Sequence, residues 1–406
     1  MPMELNAKVL GFFAGAAALR LGVFLLFPDL ADVLSSQVEL STPVSSFKTL
    51  KEGLFLYDRG VSPYDGGVFH QAPLLLPIFS LFPSSLLFTI LDLWSAFQLG
   101  HLAHDLQLSS PRFKRLDGSV IAAAYLFNPF TVMSCLGRST TVLGNAAIVQ
   151  AVLSAQQGDA LQSIFALALA AYQTMYPALL LPPIVLFMAH STGGKSLSVT
   201  LWANCVGCFT AALLILIIST VFITGNISEF VKSCYGFQLT VPDLTPNIGL
   251  WWYFFIEMFD PFRSFFIGVF WLHMACYTGG MTLRLQKEPL FVITSLLGLF
   301  AIFKPYPNIA DVALFLGFLP MYQHIIPLTR YTFIAGAIIM YSALLGPAFH
   351  YLWIYAGSGN ANFFYAITLV WSLGLTILVG DTLFAVLRDE WEVERPEMKG
   401  KVVRRI

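Results

Sequence analysis

Apolar runs of helical length alternate with short polar islands along the whole chain, and the islands alternate in kind. The runs cover 9–27, 86–102, 120–136, 142–155, 161–188, 199–223, 262–281, 290–303, 309–326, 331–349 and 363–387. Since roughly 20 apolar residues cross a hydrocarbon core as a helix, each is a candidate membrane segment. The run at 161–188 is interrupted by Tyr176-Pro177 and Pro182-Pro183 and reads as two shorter helices. The pattern predicts an all-α polytopic protein of about twelve transmembrane helices, 1–406 forming one multi-spanning membrane domain.

The islands sort by side. With Lys8 in the cytosol, Arg112, Lys114, Arg115, Lys195, Arg284, Lys287, Arg330 and the tail 388–406 all fall in the cytosol, which is the positive-inside pattern. Both termini are then cytosolic. Segments 28–83, 137–139, 224–248, 304–308 and 350–362 fall on the opposite, luminal side. Lys48, Lys51 and Arg59 are exceptions, in a long loop where the rule weakens.

That loop carries its own pattern. Val44, Phe47, Leu50, Leu54 and Phe55 predict a short interfacial helix over 40–56, with Ser41 or Thr42 as cap and Pro43 at its first position. Gly60, Pro63, Gly66 and Gly67 then make turns expected to present Asp58, Tyr64, Asp65 and His70 at the membrane surface.

Composition agrees: 57% of residues are hydrophobic and 11% charged, against about a quarter charged in soluble domains. The first run exceeds the roughly 7–15 residues of a signal-peptide core and reads as a retained anchor. Arg20 inside it costs roughly 2.5–3.5 kcal/mol on insertion scales, so it must face other helices or snorkel. A net charge of -1 gives nucleic acid no footing. The five cysteines are scattered; Cys205 and Cys208 form a CxxC inside an apolar helix without a nearby His and read as packing residues, so no metal or cofactor is expected.

Two resemblances bear on function. GVSPY at 60–64 followed by HQAPL at 70–74 resembles the first luminal loop of multi-spanning glycosyltransferases that use polyprenol-phosphate sugars, the GT-C-like fold. Those enzymes place an acidic pair just after the first helix; here 36–41 reads SQVELS, leaving Glu39 alone. Further motifs, QVELSTPVSSF at 37–47, SPYDGGVFH at 62–70, LFNPF at 126–130, YQTMYP at 172–177, VPDLTPNIG at 241–249 and NANFFYAI at 360–367, together resemble the phosphatidylinositol-glycan class U family, subunits of the GPI transamidase.

The resemblance implies a non-catalytic subunit of a hetero-oligomeric complex in the endoplasmic-reticulum membrane. It would recognise the GPI glycolipid and present it for attachment to the C-terminus of precursor proteins. The alternative is a GPI-pathway mannosyltransferase using dolichol-phosphate-mannose, which would need the missing acid pair.

A glycolipid receptor needs an apolar groove capped by hydrogen-bonding groups. Asn360 and Asn362, with Ser358 and Tyr365, form a candidate rim, or Asn362 simply caps the helix that follows. Asp243 and Asn247 sit in a proline-framed loop, where Asp243 orients an amine or a partner subunit, or caps a turn. Phe255, Phe259, Phe262, Phe266 and Phe270 recur at helical spacing, as an acyl-chain wall or as ordinary packing. Lys304 meets a phosphate or anchors at the interface. Glu39, Tyr64, Asp65 and His70 are expected to support the luminal loop, with membrane lipid around the whole chain.

Overall fold

The computed structural model describes residues 7–194 and 198–401, and every regular element among them is helical. Lys195, Arg404 and Arg405 lie outside the described residues. The chain divides into two compact units, Met1–Met321 and Tyr322–Ile406.

Each apolar run forms helix, but the helices differ in reach. Among the described residues, six are long and apolar enough to cross a membrane by themselves: Ala7–Leu26, Ser84–Ser109, Val199–Thr224, Asp260–Arg284, Thr332–Ile354 and Ala361–Glu394. Gly118–Leu126 and Pro129–Leu136 make a seventh crossing if the pair, bent by 53°, counts as one span. Ala160–Gln173, Tyr176–Ser191, Pro289–Phe303 and Ile309–Tyr322 are shorter apolar helices. At a rise of about 1.5 Å per residue, a helix the length of Pro289–Phe303 falls short of a hydrocarbon core about 30 Å thick. Short helices leave backbone groups that lipid cannot satisfy, so protein must surround them. Pro289–Phe303 meets this demand, with every residue from Pro289 to Ile302 buried.

Arg20 shows how a break and a charge are reconciled inside the first unit. Its side chain and that of Asp92 are both fully buried, and Nε donates to Asp92 Oδ2 at 2.9 Å. Nη2 donates to the Leu126 carbonyl at 2.9 Å and Nη1 to that of Ala16 at 3.2 Å. The Leu126 carbonyl has lost its helical donor because the Phe130 N–H turns instead to Asn128 Oδ1, 2.9 Å away, at the Asn128-Pro129 break. The guanidinium replaces that donor. Of the two fates expected for Arg20, the inward one holds.

The segments sorted to each side meet in space within this unit. At the end of Ser84–Ser109 that carries Ser109, Arg112 pairs with Glu288, and Gln107 donates to the Lys114 carbonyl at 3.3 Å. Toward the other end, Thr140 N donates to the Ser45 carbonyl at 3.1 Å, Ile309 N to that of Glu39 at 3.0 Å, and Tyr306 OH to that of Asp243 at 2.8 Å. The second group is called the first-loop face below.

The helix expected over 40–56 starts later. It spans Phe47–Tyr57 and is capped by Ser46, whose hydroxyl accepts from Lys48 N. Thr42 and Ser45 bond each other's hydroxyls at 2.7 Å, and Ser46 N closes onto the Thr42 carbonyl. That turn holds Pro43, so neither Ser41 nor Thr42 can cap.

In the second unit, Thr332–Ile354 packs along Ala361–Glu394 as an antiparallel pair. A Cβ on Gly374 would sit 2.9 Å from Ile338 and Ile339 side chains, so only glycine lets these helices approach. Asp381 accepts from Tyr331 N at 2.7 Å, Arg330 N at 2.9 Å and the Thr332 hydroxyl at 3.2 Å. It thereby caps the first helix from the second.

Candidate functional site

The first loop folds inward. Gln71 is its hub: Nε2 donates to the Ser46 carbonyl (2.6 Å) and to Thr49 Oγ1 (3.0 Å), Oε1 accepts from Thr140 Oγ1 (2.8 Å), and its carbonyl accepts from Tyr64 OH (2.9 Å) and Cys234 Sγ (3.1 Å). Tyr64 is buried, contrary to the surface position expected of it, because its phenol donates to the buried Gln71 carbonyl that Cys234 also reaches. Asp58 and Asp65 are exposed. His70 lies flat on Phe237, ring centroids 3.6 Å apart, and its Nδ1 is 2.9 Å from the Ser233 carbonyl, so Nδ1 carries the proton. Burial holds the His70 pKa below its usual value, against the opposing pull of that carbonyl and of Asp243. Two positions singled out far apart in sequence, His70 and Asp243, are thus brought together.

Beside this hub lies a cavity of about 60 Å³, lined by Gln71, Thr140, Thr141, Asn145, Gln173, Tyr176, Lys304, Tyr306 and Asp311 among apolar neighbours. It has room for roughly four waters. Lys304 reaches it as half of an ion pair, Nζ to Asp311 Oδ1 at 2.5 Å. Asp311 Oδ2 accepts from Asn308 N at 2.9 Å, completing a capping box at the start of Ile309–Phe318. Asn308 is 1% exposed and bonds Thr141 (2.7 Å) and Ser45 (3.0 Å). Asn145 Nδ2 donates to the Ala310 carbonyl at 2.8 Å. Tyr176, at the break after Ala160–Gln173, is buried and its hydroxyl has no hydrogen-bond partner. A buried orphan hydroxyl costs about 1–3 kcal/mol, which a ligand hydroxyl or phosphate oxygen would recover. The sequence pointed to Lys304 and to the Tyr176-Pro177 break. It gave no sign of Asn145, Asn308 or Asp311, which read as ordinary polar residues near helix ends.

The proline-framed loop is held rigidly. Val241 has φ +48°, a backbone region that β-branched residues rarely enter. Arg263 Nη2 donates to its carbonyl at 2.5 Å, and Tyr306 OH to the Asp243 carbonyl. Asp243 Oδ1 accepts from Thr245 N at 2.7 Å and from the Thr245 hydroxyl, and Asn247 Oδ1 accepts from Gly249 N at 2.7 Å. Asn247 is 2% exposed. Both side chains hold the loop's own shape.

The phenylalanine series does not share one face, because Asp260-Pro261 starts a new helix after Trp251–Ile256. Phe255 is buried against Trp251 and Phe270, and Phe266 packs on Phe254. Phe259 and Phe262 are 77% and 57% exposed.

In the second unit the 356–362 island forms a tight turn. Ser358 N and Gly359 N both donate to the Leu352 carbonyl, at 3.0 and 3.1 Å, with Gly357 at φ +63°. The cap of Ala361–Glu394 is Asn360, whose Oδ1 accepts from Phe363 N at 3.2 Å, and not Asn362 as expected; the helix begins two residues earlier. Ser358, Asn360 and Asn362 are exposed and Tyr365 is half-buried. Asn360→Ala should cost about 0.5–2 kcal/mol through the lost cap, read as a lower unfolding temperature.

Glu39 stands apart. Both carboxyl oxygens are buried without a hydrogen-bond partner, while its carbonyl is fixed by Ile309 N. Burial pushes its pKa from 4.5 up to about 7. The folded protein then holds the proton more tightly than the unfolded chain, so stability falls as pH rises from about 4.5 to 7, by on the order of 1–3 kcal/mol. Glu39→Gln should flatten that slope and be the more stable protein at pH 8; equal slopes in thermal unfolding between pH 5 and 8 would contradict this.

Comparison with known proteins gives one consistent result. The sequence model of the family described as GPI transamidase subunit PIG-U matches residues 14–371. The chain is 36% identical over 394 residues to "GPI-anchor transamidase component PIGU" of Homo sapiens, covering 89% of this chain and 90% of that protein. It is 36% identical over 406 residues to "GPI transamidase component GAB1" of Saccharomyces cerevisiae, covering 98% and 99%. The "GPI transamidase component GAB1 homolog" of Schizosaccharomyces pombe is 33% identical over 377 residues, covering 91% of each.

Proposed function

Because this chain belongs to the PIG-U family of GPI transamidase subunits, we propose that it serves such a complex as the subunit that recognises the GPI glycolipid and presents it for attachment to precursor proteins. It does no bond-making itself, and the other subunits of the complex are its partners. It resides in the endoplasmic-reticulum membrane with both termini cytosolic and the first-loop face luminal. About twelve membrane segments, counting the short enclosed helices, give it the scaffold of the polyprenol-sugar glycosyltransferases.

One observation carries this reading: a polar cavity walled by Asn145, Tyr176, Lys304 and Asp311 opens among apolar helices where the first loop covers them. At about 60 Å³ it suits a hydroxyl or phosphate oxygen of the headgroup and not a whole glycan, with the apolar helices around it suited to acyl chains. The exposed Ser358, Asn360 and Asn362 offer a second set of such groups. A non-catalytic role is favoured by the chemistry of Cys234. Its thiol is buried, donates to the Gln71 carbonyl and is pushed up to about 12, far from the thiolate that attack requires.

A photoreactive GPI analogue added to the reconstituted complex tests the reading. Label is expected in this chain near 172–177, 304–311 or 354–365. Label confined to the other subunits would leave this chain an anchor for them and nothing more.

A further inference from the structure

The first-loop face carries a second concavity that shares no lining residue with the Lys304 cavity. It is a groove of about 420 Å³ between the helix Phe47–Tyr57 and the turn that joins Leu75–Leu81 to Ser84–Ser109. This volume lies within the roughly 300–1,000 Å³ of small-molecule sites. Phe47, Leu54 and Phe79 line it, and Leu81 and Phe82 form a lip that is 75% and 56% exposed. The only charged residue in its lining is Lys51, exposed, with Nζ 5.2 Å from the centre of the Phe47 ring. Ser80 and Ser84 add hydroxyls.

Three features fix the chemistry of an occupant. The walls are aliphatic and aromatic, so the part inside is a hydrocarbon chain. The lining charge is a lysine with no acid in the lining, so the head is anionic, and a lysine meets a phosphate as a point charge. The groove holds no amide side chain and only two hydroxyls, so a glycan would leave most of its hydroxyls unpaired there. Lys48, on the same helix, and Arg59, stacked on Phe55 just beyond it, add positive charge along this edge, with Glu52 and Asp58 also exposed on this stretch but outside the groove. These are the basic residues of the first loop that depart from the positive-inside pattern.

We propose that this groove is a binding site for an anionic glycerophospholipid of the surrounding leaflet, one acyl chain lying over Phe47, Leu54 and Phe79 and the phosphate meeting Lys51. The site gives a role to the exposed basic residues of the first loop, beside Arg138, Lys232 and Lys304 in the other segments of this side. It stands independently of glycolipid presentation.

Native mass spectrometry of the full chain in mild detergent, titrated with phosphatidylserine, phosphatidylinositol or phosphatidylcholine of matched acyl chains, tests it. One anionic lipid should bind with at least about tenfold preference over phosphatidylcholine, and Lys51→Glu should abolish that preference with its unfolding temperature unchanged. Ser80→Trp, on the exposed rim, should weaken binding of all three lipids by blocking the groove. Equal binding of phosphatidylcholine by the wild type, an undiminished preference in Lys51→Glu, or phospholipid binding unchanged in Ser80→Trp would overturn the proposal.

Discussion

Arg20→Met is expected to destabilise the protein by about 3–5 kcal/mol, because it strands the buried Asp92 carboxylate and frees the Leu126 carbonyl together. Breaking a buried pair from one side costs more than removing it whole. Arg20→Met combined with Asp92→Leu should therefore recover most of the loss, leaving the Leu126 carbonyl as the remaining defect, worth about 1–3 kcal/mol. Thermal unfolding in detergent reads both variants. Two single-site losses that simply add in the double variant would mean that the pair does not act as a unit.

Lys304→Met should reduce GPI attachment by the reconstituted complex about tenfold or more, and should destabilise the chain by leaving Asp311 without its cation, again by about 3–5 kcal/mol. The two effects separate in a compensated variant. Lys304→Met with Asp311→Asn removes both charges and keeps an acceptor for Asn308 N, so stability should largely return while attachment stays low, since the cavity has lost the charged groups offered to the glycolipid. If attachment recovers along with stability, the ion pair is a strut for Ile309–Phe318 and the cavity does not hold the substrate.

These expectations rest on features that were legible in the sequence to different degrees. Arg20 announced a need for a partner, because a cation in an apolar run is costly wherever it lies. Its partner, Asp92, is 72 residues away, and no spacing rule reaches that far. Asn362 read as the cap because it directly precedes the apolar run; that Asn360 caps instead depended on where the chain leaves the Leu352 turn. Tyr64 was misplaced at the surface because a glycine-rich stretch predicts turns and not what the turns pack against. The phenylalanine spacing suggested a stripe, but spacing has meaning only along one uninterrupted helix, and Asp260-Pro261 resets the phase.

The sequence by itself determined that this chain is a multi-spanning helical membrane protein and where its apolar segments lie, because transfer of apolar and charged groups from water is a local cost that each residue brings alone. Only the tertiary structure decided which helices are long enough to cross a membrane and which are short, that Lys304 arrives already paired, and that Asn145 and Tyr176 stand at the same cavity. Those outcomes depend on hydrogen bonds between segments distant in the chain, whose strength is set by mutual geometry and burial and by nothing that a residue carries on its own.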